Sequence, residues 1–396
     1  MNIAHLLRRS GETHADRPAL WVGTERHLDY RTLARRTAAL AGFLRSGLDV
    51  APGDRVVIFA TNVPEYLEAL HAVYWAGAVT VPVNCKLHAK ELAQVLDDAS
   101  PAAVLVSPDK VDSALAAGIA RAHLLVLGSP AYADALATAA IAPEPREPDD
   151  LASLFYTSGT TGRPKGVMQT HRNLFAMTSA YFTDVDDVQP DDAMVYAAPM
   201  SHGAGLYNFA HVLRGARHVV PVSGGFEPAE LLGLARDIGR LSFFAAPTMV
   251  RRLVRELEET AGDASGIKTI VYGGGPMYVE DIKAALRVMG PCLVQIYGQG
   301  ETPMTITALS RAHLADDTHP RWAGRIASVG VAQSCVEVRV ADARGRPVPV
   351  GEVGEVLVRG DTVMAGYWRN PERAPPRCRA DGCTPATWAA STTRAS

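Results

Sequence analysis

No C-x-x-C pair occurs in this 396-residue sequence, and its five cysteines, Cys85, Cys292, Cys335, Cys378 and Cys383, have no histidine nearby at zinc-ligand spacing. That scatter argues against a structural zinc site and a disulfide framework, and it predicts free thiols in a reducing cytoplasm. An excess of charge of one sign is also missing. The 39 Lys and Arg against 42 Asp and Glu leave a net charge of −3. This gives no electrostatic basis for nucleic acid or an anionic membrane as a partner. No apolar run approaches the roughly 18 residues that suggest a membrane span. Leu6-Leu7 precede Arg8-Arg9, the reverse of a signal peptide's order, so none is expected. Internal repeats and low-complexity tracts are absent. What is present, 47% apolar and 20% charged residues, is an ordinary globular balance, and the length suffices for two or three packed units.

Short β-branched runs alternate with helical patterns, which predicts βαβ units on parallel sheets. Strands are expected at 54–60, 79–84 and 102–107, with helices over 62–78 and 88–99. Asn62 is a candidate N-cap, with Pro64 in the first turn. After a looser stretch at 142–149, strands are expected at 194–198, 218–222, 242–246, 269–272 and 293–297. Beyond Arg325 the period changes. Val336, Val338 and Val340 alternate with Glu337 and Arg339, turns follow at 342–345 and 351–354, and another strand at 355–359. The expected fold class is α/β: two doubly wound βαβ subdomains plus a small antiparallel, β-barrel-like subdomain.

The strongest local signal is Thr157-Ser158-Gly159-Thr160-Thr161-Gly162-Arg163-Pro164-Lys165-Gly166, between an apolar run at 151–156 and a helix expected near Asn173. Glycines let backbone amides approach an anion, the hydroxyls of Thr157, Ser158 and Thr160 add donors, and Lys165 adds a point charge suited to phosphate. The pattern is neither G-x-x-x-x-G-K-[ST] nor G-x-G-x-x-G, so it is a different polyphosphate nest.

These ten positions resemble the signature of the adenylate-forming superfamily: acyl- and aryl-CoA ligases, firefly-luciferase-like enzymes and peptide-synthetase adenylation domains. The resemblance implies that the loop holds the β- and γ-phosphates of ATP. Pro199-Met200-Ser201-His202 resembles the family's P-x-x-H, which implies that His202 sits beside the acyl substrate. Gly273-Gly274-Gly275-Pro276, after a strand, is similar to the loop that borders adenine and the acyl pocket. Tyr297-Gly298-Gln299-Gly300-Glu301-Thr302 resembles Y-G-x-T-E, where the Tyr stacks on adenine and the Glu helps to hold Mg²⁺. Gly300 departs from that pattern, since Thr is commoner there, and Thr302 is one residue too late to replace it. Gly351-Glu352-Val353-Gly354-Glu355 and Gly366-Tyr367-Trp368 match a further family stretch, taken as turns and an aromatic anchor in the small β unit. Tyr207, Phe226, Met249 and Met304 are candidates to line an apolar pocket.

The match runs to Pro371 and then breaks. The family continues with an amphipathic helix, a W-x-x-T-G-D stretch whose Asp binds ribose, a hinge, and a C-terminal domain that supplies a lysine. Here Pro375-Pro376 forbid the helix. With GC-rich codons, reading from the third base of the Asp381 codon can spell W-L-H-T-G-D-L-G-R-F-D-D-E-G-F, which points to a frameshift between about Glu372 and Arg379. The expected organisation is therefore a large AMP-binding domain at 1–371 and an aberrant, disordered tail at 372–396, with the family's C-terminal domain missing. The implied activity is ligation of a carboxylic acid to coenzyme A through an acyl-adenylate, using ATP and Mg²⁺, impaired in this chain. The Gly-Gly-Gly-Pro loop and the Q-G-E variant are more similar to CoA ligases than to peptide-synthetase domains. The alternative is a nucleotide-binding remnant without efficient turnover.

Overall fold

Val56, Val57, Ile58 and Phe59 are all fully buried. Such an unbroken run suits a parallel strand covered on both faces. In the computed structural model Val56 and Ile58 enter one apolar cluster while Val57 and Phe59 enter another on the opposite face. The structure describes residues 1–157 and 164–370, and the backbone of 389–395. Its strands are β1 Pro18–Val22, β2 Glu25–Asp29, β3 Arg55–Phe59, β4 Val79–Pro82, β5 Ala103–Val106, β6 Leu124–Val126, β7 Leu151–Thr157, β8 Lys165–Thr170, β9 Ala193–Val195 and β10 Arg217–Val220. They continue as β11 Leu241–Ala245, β12 Ile267–Tyr272, β13 Leu293–Gln299, β14 Thr302–Leu309, β15 Val331–Ala332, β16 Val336–Ala341, β17 Gly354–Gly360, β18 Gly366–Tyr367 and β19 Ala389–Ala395.

Two large sheets result. One has seven strands, β18-β8-β7-β4-β3-β5-β6, and the other nine, β15-β14-β13-β12-β11-β9-β10-β1-β2. The nine-stranded sheet has a parallel centre and antiparallel pairs at both edges, whereas the seven-stranded sheet is parallel from β7 to its β6 edge and antiparallel only at the β18-β8-β7 end. Strand residues separate by face: Met194, Tyr196 and Ala198 share a cluster with Val56 and Ile58, so that core joins the two sheets. Ala193, Val195 and Ala197 face a second core with the helices Pro228–Ile238, Pro247–Thr260 and Val279–Met289. The helix Ala89–Ala99 covers the outer face of the seven-stranded sheet. The α/β class with two parallel-centred sheets therefore holds, and the sheets are mixed.

Several expectations change. β1 and β2 come from the chain's first thirty residues yet close the edge of the nine-stranded sheet, through parallel pairing of β1 with β10. Asn62 is no helix cap: the helix is Glu65–Trp75 with Pro64 before it. The step from the Thr157 loop to the helix is not direct. β8 intervenes and pairs antiparallel with β7, and Thr170 then caps the helix His171–Ala180 in a box with Asn173. The small unit is a three-stranded antiparallel sheet, β16-β17-β19, among the described residues, not a barrel. In its third strand the backbone of Ala389–Ala395 pairs with β17. Residues 371–388 lie outside the described residues. Among the described residues no helix is long and apolar enough to cross a membrane, and Cys85, Cys292 and Cys335 are free thiols.

Candidate functional site

Loops at the carboxyl ends of parallel strands form the crevice where ligands bind in open α/β sheets. β7 is the central wall here. It carries Phe155, whose ring meets that of His202 edge-on at 5.7 Å between centroids. Two residues on, Thr157 pairs with Lys165 across the hairpin. Ser158, Gly159, Thr160, Thr161 and Gly162, assigned to phosphate by the sequence, lie outside the described residues. Thr157, Pro164, Ser201 and His202 share a cavity of about 360 Å³ with Val83 and Leu87 from the segment after β4.

His202 precedes the short helix Gly203–Leu206, and its Nδ1 lies 3.0 Å from Ser201 Oγ. Desolvation by the surrounding protein lowers its pKa, so the imidazole is neutral near pH 7. The strand-to-His segment is pinned by a residue from the other sheet. Asn62 donates from Nδ2 to the carbonyls of Tyr196 (2.8 Å) and Ala198 (3.0 Å), and its Oδ1 accepts from Met200 N–H at 2.8 Å. Sequence reasoning saw Asn62 as a cap and missed this role. Gly205 shows why the turn after His202 needs glycine: a Cβ would lie 1.8 Å from the carbonyl oxygen of Met200.

The motif from Tyr297 to Thr302 is a hairpin. β13 ends at Gln299, Gly300-Glu301 make the turn, and Gln299 pairs with Thr302. Thr302 is buried. Tyr297 is half-buried against the cluster of Ile306 and Val336, and its hydroxyl accepts from Gln299 Nε2 at 3.1 Å. A Cβ on Gly298 would lie 2.6 Å from Met304 N, and one on Gly300 would lie 2.7 Å from Thr157 Cγ2. The Gly300 departure therefore has a local reason, because the turn is packed directly against Thr157, where the loop between β7 and β8 begins. Gln169 Nε2 also donates to the Gly300 carbonyl at 3.2 Å.

Glu301 and Lys165 come together around a residue read from sequence as structural. Tyr367 donates its hydroxyl to Glu301 Oε1 at 2.7 Å, and Lys165 Nζ lies 5.4 Å from the centroid of the same ring. The Gly366-Tyr367-Trp368 stretch does not belong to the small β unit. β18 pairs with β8, and Trp368 Nε1 donates to the Asp98 carbonyl at 3.1 Å. No sequence pattern announces this, since two residues of edge strand carry no periodicity.

Gly273, Gly274, Gly275 and Pro276 follow β12. Gly273 is buried with no room for a side chain beside Ile296, while Gly274 (φ +78°), Gly275 and Pro276 are exposed. Phe244 links this loop to the His202 turn, with Cβ positions on Gly274 and Gly203 lying 4.0 and 3.6 Å from its ring. Met304 (φ +64°) packs its thioether on Gly203. Of the four apolar candidates, Met304 is thus at the site. Tyr207 is core against Tyr181, Phe226 stacks under Arg252, and Met249 receives the Ala246 N–H on its sulfur.

No cluster of three or more His, Cys, Asp or Glu at metal-holding distance exists among the described residues. One carboxylate, Glu301, beside one ammonium, Lys165, suits a Mg²⁺ ion shared with a polyphosphate, because Mg²⁺ keeps waters and takes one or two carboxylates plus substrate oxygens.

The profile described as AMP-binding enzyme matches residues 7–368. A feruloyl-CoA synthase from Amycolatopsis sp is 35% identical over 87% of this chain and 67% of its own length, so the chain spans about two thirds of that relative. The crystal structure of ATP-bound MatB from Rhodopseudomonas palustris superposes with a TM-score of 0.83 at 28% identity, over 100% of this chain and 76% of that one. The inhibitor-bound N-terminal domain of FACL13 from Mycobacterium tuberculosis gives 0.84 at 26% identity, over 99% and 96%.

Proposed function

We infer, from the premise that the chain belongs to the AMP-binding enzyme family, that it activates a carboxylic acid with ATP and passes the acyl group to coenzyme A. In the first half-reaction a carboxylate oxygen attacks the α-phosphorus and pyrophosphate leaves. In the second a thiol attacks the acyl carbonyl, gives up its proton, and AMP leaves. The observation that carries the reading is the meeting of Lys165 and Glu301 on Tyr367, beside a cavity that joins Thr157 to His202. Lys165 and the amides at the start of the loop neutralise phosphate charge as it redistributes toward pyrophosphate, which is catalysis by positioning and electrostatics. Glu301 would hold Mg²⁺, which when bound would supply charge neutralisation on the phosphates. A neutral His202 accepts or donates a hydrogen bond beside the carboxylate without adding charge.

The named activity of the Amycolatopsis relative puts hydroxycinnamic acids first among substrates to try. Turnover by this chain is proposed to be slow, because the sequence at 381–396 replaces the stretch expected to bind ribose. The test is pyrophosphate exchange and thioester formation with a panel of aryl and fatty acids, run on this chain and on one with the reading frame restored after Glu372. Acid-dependent exchange in the restored chain and weak thioester formation in this one are expected. Equal rates in both would refute the impairment, and no exchange with any acid in either would refute adenylation.

A further inference from the structure

Tyr367 sits on a strand of two residues that is fixed from both sides. Ala365 and Trp368 donate their N–H groups to the carbonyls of Met168 and Gly166 on β8, at 2.9 and 2.8 Å. Just before it, Met364 N–H donates to the Glu301 carbonyl at 2.8 Å. The approach is anchored as well, since Asn173 Nδ2 donates to the carbonyls of Asp361 (2.7 Å) and Val363 (2.9 Å). The backbone of 361–368 is thus stitched to β8, to the helix His171–Ala180 and to the Glu301 turn. A side chain on such a segment has little freedom, and this one spends both its polar and its aromatic capacity on the two charged groups of the site. Its hydroxyl proton is directed at Glu301 Oε1, and its ring face lies under Lys165 Nζ.

We propose that Tyr367 is a positioning residue that orients the Glu301 carboxylate toward the metal–phosphate and holds Lys165 over the start of the phosphate loop. The proposal rests on the reading of Glu301 as the metal partner. Glu301 belongs to the nine-stranded sheet and Lys165 to the seven-stranded one. Without a bridge their separation would follow every small shift between the sheets. With one oxygen of Glu301 held by the phenol, the carboxylate cannot rotate freely, and the other oxygen is left for the metal. Partners of this kind, one step behind a metal ligand, typically change metal affinity 10- to 100-fold when removed. The aromatic face supplies a weaker, separate hold on the ammonium.

Two substitutions divide these contributions. Tyr367→Phe removes the hydrogen bond and keeps the ring, and Tyr367→Leu removes both. ATP binding is measured by calorimetry on the full chain, first with EDTA and then across a Mg²⁺ titration, with Glu301→Gln and Glu301→Gln/Tyr367→Phe alongside. Melting temperatures are read for each, and Glu301→Gln supplies an arm that leaves the Tyr367 packing intact. Tyr367→Phe is expected to bind metal-free ATP within twofold of the wild type, to need about tenfold more Mg²⁺ for its half-maximal effect, and to add nothing to Glu301→Gln. Tyr367→Leu is expected to lose metal-free affinity as well. A shift with Glu301→Gln but none with Tyr367→Phe overturns the proposal and leaves the metal reading standing. No shift with either overturns both. A loss with Tyr367→Phe that is equal with and without metal shows a merely structural role, and also overturns it.

Discussion

Gly300 stands where the superfamily more often has threonine, and the structure gives a way to learn why. A Cβ at this position would lie 2.7 Å from Thr157 Cγ2, 3.2 Å from Phe155 Cδ1 and 3.5 Å from Val167 Cγ2. Carbon atoms are comfortable at about 3.5–4.0 Å, so the first contact is about 1 Å too close. Gly300 is not among the residues with positive φ, so alanine meets no backbone penalty there and the cost is steric alone. Thr157 cannot easily yield, since a β-branched side chain is stiff at χ1. Overpacking of this kind costs about 1–3 kcal/mol. With an unfolding entropy of about 2.1 cal/mol/K per residue, a chain of 396 residues shifts by roughly 1 °C per kcal/mol, so Gly300→Ala should lower the melting temperature by roughly 1–4 °C. Because Thr157 opens the phosphate loop, ATP affinity should fall with it. Thr157→Ser removes the offending methyl and keeps the hydroxyl. The pair Thr157→Ser/Gly300→Ala should therefore melt close to Thr157→Ser alone, with a coupling of at least about 1 kcal/mol. Melting curves and ATP calorimetry on the four proteins measure this. If Gly300→Ala matches the wild type, or if the double variant melts as low as the single one, the turn is not packed against Thr157 and the argument fails.

Lys165→Ala should weaken ATP binding by about 1.5–3 kcal/mol, the value of a charge-assisted contact, read by calorimetry as a roughly ten- to hundredfold rise in Kd; equal affinities would remove Lys165 from the site. Asn62→Ala leaves two carbonyls and one N–H without their partner and should cost about 1–3 kcal/mol; acid-dependent exchange should fall more than ATP affinity, because the loss falls on the segment that carries His202. His71 is fully buried, its Nε2–H donates to Asn208 Oδ1 at 2.8 Å, and burial pushes its pKa down to about 4. The unfolded chain then binds the extra proton between about pH 6.5 and 4, so this contribution to stability is full above that window and is lost as pH falls through it, by about 3 kcal/mol. Urea midpoints from pH 7 to 4 should decline less steeply in His71→Gln, and parallel profiles would show that His71 does not titrate on unfolding.

What the sequence made legible depended on how the information is stored. The buried strands β3, β9 and β12 were visible because both their faces are covered, which leaves uninterrupted apolar runs. The Thr157 to Gly166 stretch was visible because glycine, hydroxyl and lysine at fixed spacing have few other uses. The helix-or-strand choice just after it was harder, since β8 reads K-G-V-M-Q-T with no strict alternation, and only pairing with β7 settles it. β18 was hidden because two residues have no period. Asn62 was misread for a general reason: an Asn before a helical pattern is favoured as a cap, and its alternative partners, Tyr196, Ala198 and Met200, are more than 130 residues away.

The separations of those partners matter to how the site works. The proposed phosphate arm comes from β7 and β8, the proposed metal arm from the turn between β13 and β14, and the histidine from the segment after β9. None of these is held by its own strand alone. Asn62 reaches from the seven-stranded sheet to fix the histidine segment, Gln169 reaches from β8 to the Gly300 carbonyl, and Tyr367 reaches from β18 to Glu301. All three links run in the same direction, from the smaller sheet to the larger one. The smaller sheet therefore acts as the reference frame, and the chemistry of the larger sheet is registered against it. Because each link is a hydrogen bond between groups partly shielded from water, loosening one should disturb the relative placement of two charged arms while leaving each arm's own fold intact. Binding of ATP without metal, which needs mainly the phosphate arm, should then be the most robust property of the chain. Metal dependence and acid activation, which need all three arms in register, should be the most fragile.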